Sequence, residues 1–279
     1  MPTILALSEL SAGSASDRAW ETAILYHDLR TELKRTPKKL MEVRTTAVRA
    51  VLARARAVIG SSKKETRTLH DLFPNRPNAE LDVEQTIDNI MDKTHPDGTD
   101  IAVTAKEQKR FDCALMLDTS LSMSGEKLAL LAVAAAVLAY KLPSDDFAII
   151  SFESTASILK KIRVSLAIEK LVTRILEVPA IGYTNIEAGL TQGLEQLARG
   201  THKRRVGILL SDGKHTAGDS PLVTAARFRQ LHVVLLGDFN TDPDACAAIA
   251  SAGHGSVYPA PSFESLPRVL HRLVTDLVA

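Results

Sequence analysis

The 279-residue sequence contains little cysteine, few aromatic residues and almost no net charge. Its two cysteines, Cys113 and Cys246, lie too far apart to match a zinc or redox spacing. We expect both to be buried thiols in a reducing compartment. The net charge of +1 gives the whole molecule no electrostatic reason to bind nucleic acid or a membrane.

Long apolar segments are also absent. The longest, "LALLAVAAAVLAY" from Leu128 to Tyr140, is shorter than the roughly 20 residues that a membrane-spanning helix needs. It is better explained as a buried helix. The start, "MPTILALSEL", has neither the basic residues nor the apolar length of a secretory signal. We therefore expect a cytoplasmic protein that does not associate with membranes.

Several enzyme motifs are missing. The sequence contains no G-x-S-x-G nucleophile elbow and no G-x-x-x-x-G-K-[ST] phosphate-binding loop. A phosphotransferase of the haloacid dehalogenase type needs an Asp at a strand end and a second Asp two residues later. Here Asp118 is followed at that spacing by Ser120, so the acid/base partner is absent. We expect the chain not to be an enzyme.

The distribution of charge divides the chain. From Arg30 to Arg67 there are 12 Lys and Arg residues against 3 Glu. From Asp71 to Asp100 the balance reverses, with 8 Asp and Glu against 2 Lys and Arg. Beyond about Arg110 the chain becomes apolar and strongly periodic. We predict a helical N-terminal region over residues 1–105, with a basic arm and an acidic segment, and a second domain over residues 110–279.

Hydrophobic periodicity predicts three helices in the first region. One should span residues 16–34, and a second should begin at Pro37, which suits the first turn of a helix. The segment "LFPNRPNAE" interrupts the pattern, and "LDVEQTIDNIMDK" resumes it as a short acidic helix. The basic residues of the second helix could simply form a solvated face, which is the usual meaning of a charge run.

The second region alternates apolar strands with helices. "FDCALMLD" is a near-continuous apolar run, as expected for a central parallel strand covered on both faces. The alternation predicts a doubly wound, Rossmann-like α/β fold with an open, mostly parallel sheet and helices on both faces. In such folds the ligand site lies beyond the carboxyl ends of the strands.

Three segments place polar oxygen groups at that edge. Asp118, Ser120 and Ser122 follow the first strand, Thr184 lies in "IGYTNI", and Asp212 lies in "LLSDGK". A set made only of carboxylates and hydroxyls suits Mg²⁺ or Mn²⁺ and not a thiolate or imidazole zinc site. Because hydroxyls outnumber carboxylates, the metal would keep positive charge and an open position for an acidic residue of a partner.

Taken singly, these residues have simpler explanations. Thr184 with Asn185 could cap the following helix, and Asp212 with Gly213 could form a turn. Only their predicted convergence on one edge of one sheet favours a metal site.

The motifs "DTSLS", "GYT" and "SDG", in this order, resemble the metal-ion-dependent adhesion site of the von Willebrand factor A domain. The resemblance covers about residues 110–279. It implies that Ser120 and Ser122 bind the metal directly and that Thr184 does so when the site is engaged. Asp118 and Asp212 would act mostly through water. A Glu or Asp of the bound protein would fill the sixth position.

One residue departs from the family's pattern. The family often has Gly between the two serines, where this chain has Leu121. The difference changes no ligand. We expect it to alter the flexibility of the loop or to add an apolar contact beside the metal.

A looser resemblance concerns the branch of the family. The stretch "ELDVEQTIDNIMDKTHPDGTDIAV", followed by "TAKEQKRFDCALMLDTS", is similar to bacterial and archaeal proteins of the CoxE and ViaA type and to magnesium- and cobalt-chelatase subunits. That similarity implies an adaptor for a MoxR-type AAA+ ATPase in metal insertion or in the maturation of larger enzymes. The alternative is a free-standing scaffold for another cytoplasmic partner, such as a nucleoprotein.

Direct binding of nucleic acid by the basic arm is disfavoured. No aromatic residue lies between Leu29 and Leu72 to stack on bases. The sequence still allows the basic arm to contact nucleic-acid phosphates without reading the bases.

Overall fold

The computed structural model describes residues 14–60, 67–72, 79–91, 93–95, 97–107, 110–120, 125–179, 182–237, 241–262 and 264–278. It contains two compact units. The larger comprises residues up to 60 together with residues 111–274, and the smaller comprises residues 61–110 and 275–279. One edge falls at residues 110–111, where the sequence suggested a boundary. Residues 14–60, however, group with the larger unit, because their helices pack against it.

The N-terminal segment forms three helices, α1 (Ala15–Ile24), α2 (Tyr26–Glu32) and α3 (Pro37–Ile59). Ser14 begins α1 with a capping box, in which its hydroxyl accepts from the Asp17 amide and its own amide donates to the Asp17 carboxylate. Residues 16–34 were predicted to form one helix, but the backbone leaves helical geometry at Leu25 (φ −86°, ψ 4°). The prediction that Pro37 begins a helix is confirmed.

The smaller unit contains a three-stranded antiparallel sheet that the sequence did not reveal. Its strands lie in the order β1-β3-β2, and they are β1 (Arg67–Leu72), β2 (Ala79–Leu81) and β3 (Ala102–Glu107). The predicted short acidic helix is present as α4 (Val83–Ile90). Asp82 caps it, since one carboxylate oxygen accepts from the Gln85 amide at 3.1 Å.

The larger unit is built on a six-stranded sheet in the order β6-β5-β4-β7-β8-β9. The strands are β4 (Asp112–Asp118), β5 (Phe147–Phe152), β6 (Ala156–Lys160), β7 (Arg205–Ser211), β8 (Leu231–Leu236) and β9 (Val257–Ala260). All neighbours run parallel except β6, which returns antiparallel to β5. The predicted α/β fold with a mostly parallel sheet is therefore confirmed.

Helices cover both faces of this sheet. They are α5 (Glu126–Lys141), α6 (Ile168–Leu176), α7 (Ile186–Ala198), α8 (Pro221–Ala225), α9 (Pro243–Ala252) and α10 (Leu266–Val278). Every residue of β4 is buried, and the five residues between its terminal aspartates are continuously apolar, as expected for a strand covered on both faces. Ala114 and Met116 point to the core shared with α7 and α9. None of the helices in the described residues is long and apolar enough to cross a membrane.

Both cysteines are buried and unpaired, as the sequence predicted. Cys113 lies in β4 and Cys246 in α9. Burial raises the pKa of both thiols, that of Cys246 to about 12. Neither is therefore a reactive thiolate at neutral pH.

Helices α1 and α3 add a further layer over α5, and α3 also packs on α6. The inner face of α3 is fully apolar, with Ala47, Val51 and Ala55 completely buried. The residues of α5 from 128 to 138 are buried on all sides. The reason is that one side of α5 faces the sheet and the other faces this layer. The N-terminal helices therefore complete the core of the larger unit.

Polar contacts fix this layer to the end of α6. The Tyr26 hydroxyl donates to Glu177 Oε1 at 3.1 Å, and an Arg44 guanidinium nitrogen lies 3.1 Å from the same oxygen. Arg30 donates to the Glu177 carbonyl at 3.0 Å. Glu177 thus binds three side chains of the N-terminal helices.

Candidate metal centre

The carboxyl edge of the sheet brings together most of the predicted site residues. Asp118 is the last residue of β4, and Asp212 directly follows the neighbouring parallel strand β7. Ser120 lies two residues beyond Asp118 and is buried with it. Thr184 comes just before α7. Ser122, with the adjacent Leu121, lies outside the described residues.

The Asp118 carboxylate is held at both oxygens. It is 2% exposed, and its Oδ1 accepts a hydrogen bond from the Ser120 amide at 3.0 Å. Its Oδ2 accepts from the Ser211 hydroxyl at 3.1 Å. The Ser211 hydroxyl in turn accepts from the Gly213 amide at 3.1 Å. Ser211 therefore ties the end of β4 to the turn after β7 and orients the carboxylate.

The electrostatics of this edge favour a bound cation. Burial raises the pKa of Asp118 to about 6, and the negative charge of Asp212 acts in the same direction, while hydrogen bonds from Ser120 and Ser211 oppose them. Among the described residues, no Lys, Arg or His forms an ion pair with either carboxylate. Two neighbouring carboxylates without a counter-charge are unfavourable. A hard divalent cation would supply that charge, so the oxygen donors present fit such an ion.

The backbone of Thr184 is fixed, whereas its hydroxyl is available. The Thr184 amide donates to Thr216 Oγ1 at 2.8 Å, and the Thr184 carbonyl accepts from the amides of Thr216 and Ala217 at 3.0 and 3.2 Å. Within the described part of the chain the Thr184 hydroxyl makes no hydrogen bond. These contacts join the loop before α7 to the loop after β7, and they leave the hydroxyl free to bind a ligand.

The sequence left two structural roles open: a helix cap at Thr184 and Asn185, and a turn at Asp212. Asn185, and not Thr184, caps α7, because its side-chain oxygen accepts from the Ala188 amide at 3.0 Å. Asp212 does form a turn, since its Oδ1 accepts from the Lys214 amide at 3.0 Å. That bond uses one oxygen of the Asp212 carboxylate. The other oxygen can still accept from a water molecule bound to a metal ion.

Gly213 is required by this turn. Its φ of +84° lies in the left-handed region, and a Cβ there would come within 2.4 Å of the Asp242 carbonyl oxygen. The Asp242 amide also donates to the Asp212 carbonyl at 2.8 Å. The start of α9 thus supports Asp212 from behind.

A second acidic cluster lies at the opposite edge of the sheet. Asp112, Asp146 and His202 have ligand atoms within 4.8 Å of one another. Asp112 begins β4 and Asp118 ends it, so about 20 Å of extended strand separates this cluster from the predicted site.

Arg163 occupies that second cluster. Its guanidinium nitrogens lie 3.0 Å from Asp112 and 3.3 Å from Asp146. His202 lies 3.1 Å from Asp146, and its amide donates to Asp112 at 2.8 Å. Arg163 has a φ of +62°, a strained conformation that these contacts hold in place. Because the arginine already supplies the positive charge, the cluster is a structural ion network and not a metal site.

Comparison with known proteins identifies a family match over most of the larger unit. Residues 112–272 match the family model for the von Willebrand factor type A domain. A protein of Synechocystis sp. described as "Uncharacterized protein sll0103" is 34% identical over 173 residues, which cover 56% of this chain and 40% of that protein.

Solved structures share the fold at low sequence identity. Proximal thread matrix protein 1 from the mussel byssus aligns with a TM-score of 0.51 at 19% identity, over 61% of this chain and 49% of its own. One structure of that protein has zinc in its metal-ion-dependent adhesion site. A von Willebrand factor type A protein from Catenulispora acidiphila aligns with a TM-score of 0.51 at 17% identity, over 62% of this chain and 44% of its own. This chain thus spans less than half of each of these relatives.

Proposed function

The chain belongs to the von Willebrand factor type A family, whose members are generally non-catalytic interaction modules, and on this basis we propose that it binds a protein partner through a divalent cation. The ion, Mg²⁺ or Mn²⁺, would be held by Asp118, Ser120, Ser122, Thr184 and Asp212. The observation that carries this proposal is the buried Asp118 carboxylate beside Asp212, with no cationic side chain paired to either among the described residues.

The residues of the site have separate tasks. The hydroxyls of Ser120, Ser122 and Thr184 would bind the ion directly, and Asp118 and Asp212 would hold its water ligands. Three neutral ligands leave the ion with net positive charge, so an open position attracts a Glu or Asp of the partner. In this proposal the ion only attracts the acidic residue of the partner, and the protein catalyses no reaction.

The proposed partner is a MoxR-type AAA+ ATPase or its client protein, in the cytoplasm. Support for this choice comes from the sequence of residues 80–120, which resembles the CoxE, ViaA and chelatase-subunit branch. In this role the chain would be an adaptor in metal insertion or in the maturation of an enzyme complex.

The test is a capture experiment from native lysate that uses the full chain as bait. Wild-type protein with Mg²⁺ is compared with wild type in EDTA, with Thr184→Ala and with Thr31→Ala. Thr31 is an exposed residue of α2 whose hydroxyl donates to the His27 carbonyl of the same helix, and it provides a matched control outside the proposed ligand set. Titration calorimetry with Mg²⁺ and Mn²⁺ on the same variants measures the ion directly.

We expect an ATPase or its client to be captured by wild type and by Thr31→Ala with Mg²⁺, and to be lost in EDTA and with Thr184→Ala. Calorimetry should show at least about tenfold weaker ion binding for Thr184→Ala. Capture of the same proteins in every sample would refute metal-dependent binding. Metal-dependent capture of a different class of protein, such as a nucleoprotein, would refute only the ATPase.

A further inference from the structure

Helix α4 in the smaller unit carries an exposed apolar stripe. Val83, Ile87 and Met91 follow at intervals of four residues, and 57%, 48% and 74% of their surfaces are exposed. Glu84 and Asp88 lie in the adjacent row and are also exposed. An apolar row flanked by acidic residues is typical of a helix that docks in a groove with basic walls.

The other face of α4 is already used within the smaller unit. The Thr86 hydroxyl accepts from the Ala102 amide at 3.0 Å, and the Asn89 side chain donates to the Asp100 carbonyl at 3.1 Å. These contacts fix α4 beside β3. The apolar stripe is therefore not on the face that bonds β3, and it remains exposed among the described residues of its own unit.

A groove of complementary character lies in the larger unit, between α3 and α6. Its volume is about 790 Å³. The floor is apolar and is formed by the buried Val48 and Leu52, one helical turn apart, and the exposed Ala53 also lines the groove. Five basic side chains and one acidic side chain surround this floor, namely Arg44, Arg49, Arg56, Lys170 and Arg174 against Glu169. The groove thus has the opposite charge to α4.

Two of these basic groups are available to a ligand. Three of the five already contact other groups of the larger unit: Arg44, Arg56 and Arg174. Arg49 and Lys170 are exposed and form no hydrogen bond or ion pair with any described residue. They lie on the two helices that form opposite walls, so an acidic helix between them could pair with both.

We propose that α4 of one copy of this chain docks into the α3–α6 groove of a second copy. The stripe from Val83 to Met91 is about 12 Å long and the wall from Arg44 to Arg56 is about 18 Å long, so the stripe is short enough for the length of the groove. Glu84 and Asp88 face Arg49 and Lys170 across it. Because every copy carries both surfaces, a two-fold dimer forms this contact twice.

The experiment measures the mass of the full chain by sedimentation equilibrium over a range of concentrations. It is performed in EDTA, so that the metal centre has no part in the result. One variant reverses the groove with Arg49→Glu and Lys170→Glu, and a second reverses the helix with Glu84→Lys and Asp88→Lys. A control variant combines Asp28→Lys with Arg229→Glu, which are exposed positions outside both surfaces.

We expect wild type and the control variant to form a dimer that high salt weakens. Each reversed variant alone should have a dimer dissociation constant at least about tenfold higher. An equimolar mixture of the two reversed variants should dimerise again, because both contacts in the mixed dimer join opposite charges. Two results would overturn the proposal: a wild-type chain that remains monomeric at every concentration, or a mixture that stays as weak as its components.

Discussion

The Ser211 hydroxyl donates a 3.1 Å hydrogen bond to Oδ2 of Asp118, across the neighbouring strands β7 and β4. Because the same hydroxyl accepts from the Gly213 amide, one side chain sets the positions of both segments that carry acidic residues of the candidate metal centre. The carboxylate is thus oriented before any ion arrives, which reduces the cost of ordering the site on binding.

The first prediction concerns this hydrogen bond. In Ser211→Ala the Oδ2 atom of Asp118 loses its donor, and this donor lowers the pKa of the carboxyl. We expect Mg²⁺ affinity to fall by about tenfold, the usual effect of removing a group that orients a ligand. Titration calorimetry checks this result, with the exposed Ser165→Ala as the matched control. Equal affinity in both variants would show that the bond does not orient the site.

The second prediction concerns the ion network at the opposite edge of the sheet. Arg163→Met keeps the length of the side chain but removes the guanidinium that pairs with the Asp112 and Asp146 carboxylates, both of which are fully buried. We expect the free energy of unfolding to fall by about 3–5 kcal/mol, because the buried Asp112 carboxylate loses its ion-pair partner.

Urea unfolding measures this loss, and Arg229→Met at an exposed position provides the control. A loss below about 1 kcal/mol, the value of an ordinary surface pair, would contradict the structural role of the network.

The third prediction concerns the N-terminal layer. Glu177→Ala removes the acceptor of the Tyr26 hydroxyl and the ion-pair partner of Arg44. The Arg44 side chain is 43% exposed, so water replaces part of the lost interaction. We expect a loss of about 1 kcal/mol in the free energy of unfolding. Chemical denaturation should show a larger effect than in Glu195→Ala, where the glutamate is exposed on α7.

The fourth prediction concerns pH. Burial lowers the pKa of His232, and the positive charge of Arg204 adds to this effect. Nδ1 of His232 accepts from the Ser256 amide at 3.1 Å, a bond that protonation of that nitrogen would remove.

A histidine with a lowered pKa contributes its full stability above the pKa of the unfolded chain. Below about pH 6.5 this histidine binds a proton in the unfolded chain but stays neutral in the folded chain. The free energy of unfolding therefore decreases as the pH falls. We expect the melting temperature of wild type to drop more between about pH 7.5 and 5.5 than that of His232→Leu. The exposed His27→Leu should behave as wild type does, and a parallel drop in all three proteins would refute the role of His232.

The sequence predicted the large sheet well for a physical reason. β4, β5 and β7 are buried on both faces, so their apolar runs are almost unbroken. The small sheet was missed because β1 and β2 are short and partly polar, and both pair with β3 across long stretches of chain. The break at Leu25 was missed because no Gly or Pro marks it.

The sequence also predicted only part of the candidate site. Polar residues that follow buried strands identify the edge, and the structure places Asp118, Ser120 and Asp212 there. The supporting bonds from Ser211 and Thr216 were not predictable, since they depend on how two loops fold toward each other. The only signal for Ser211 was its place before Asp212 in the "SDG" motif. The ion network around Arg163 gave no signal, because its members are scattered along the chain.

Helix α5 affects how the protein can be divided for experiments. It is apolar around its whole circumference, and its outer side is covered by residues from the first 60. A fragment trimmed to the family match, residues 112–272, would expose that side as a hydrophobic surface. Such a fragment should therefore aggregate when expressed alone, whereas a fragment that keeps α1 to α3 should not.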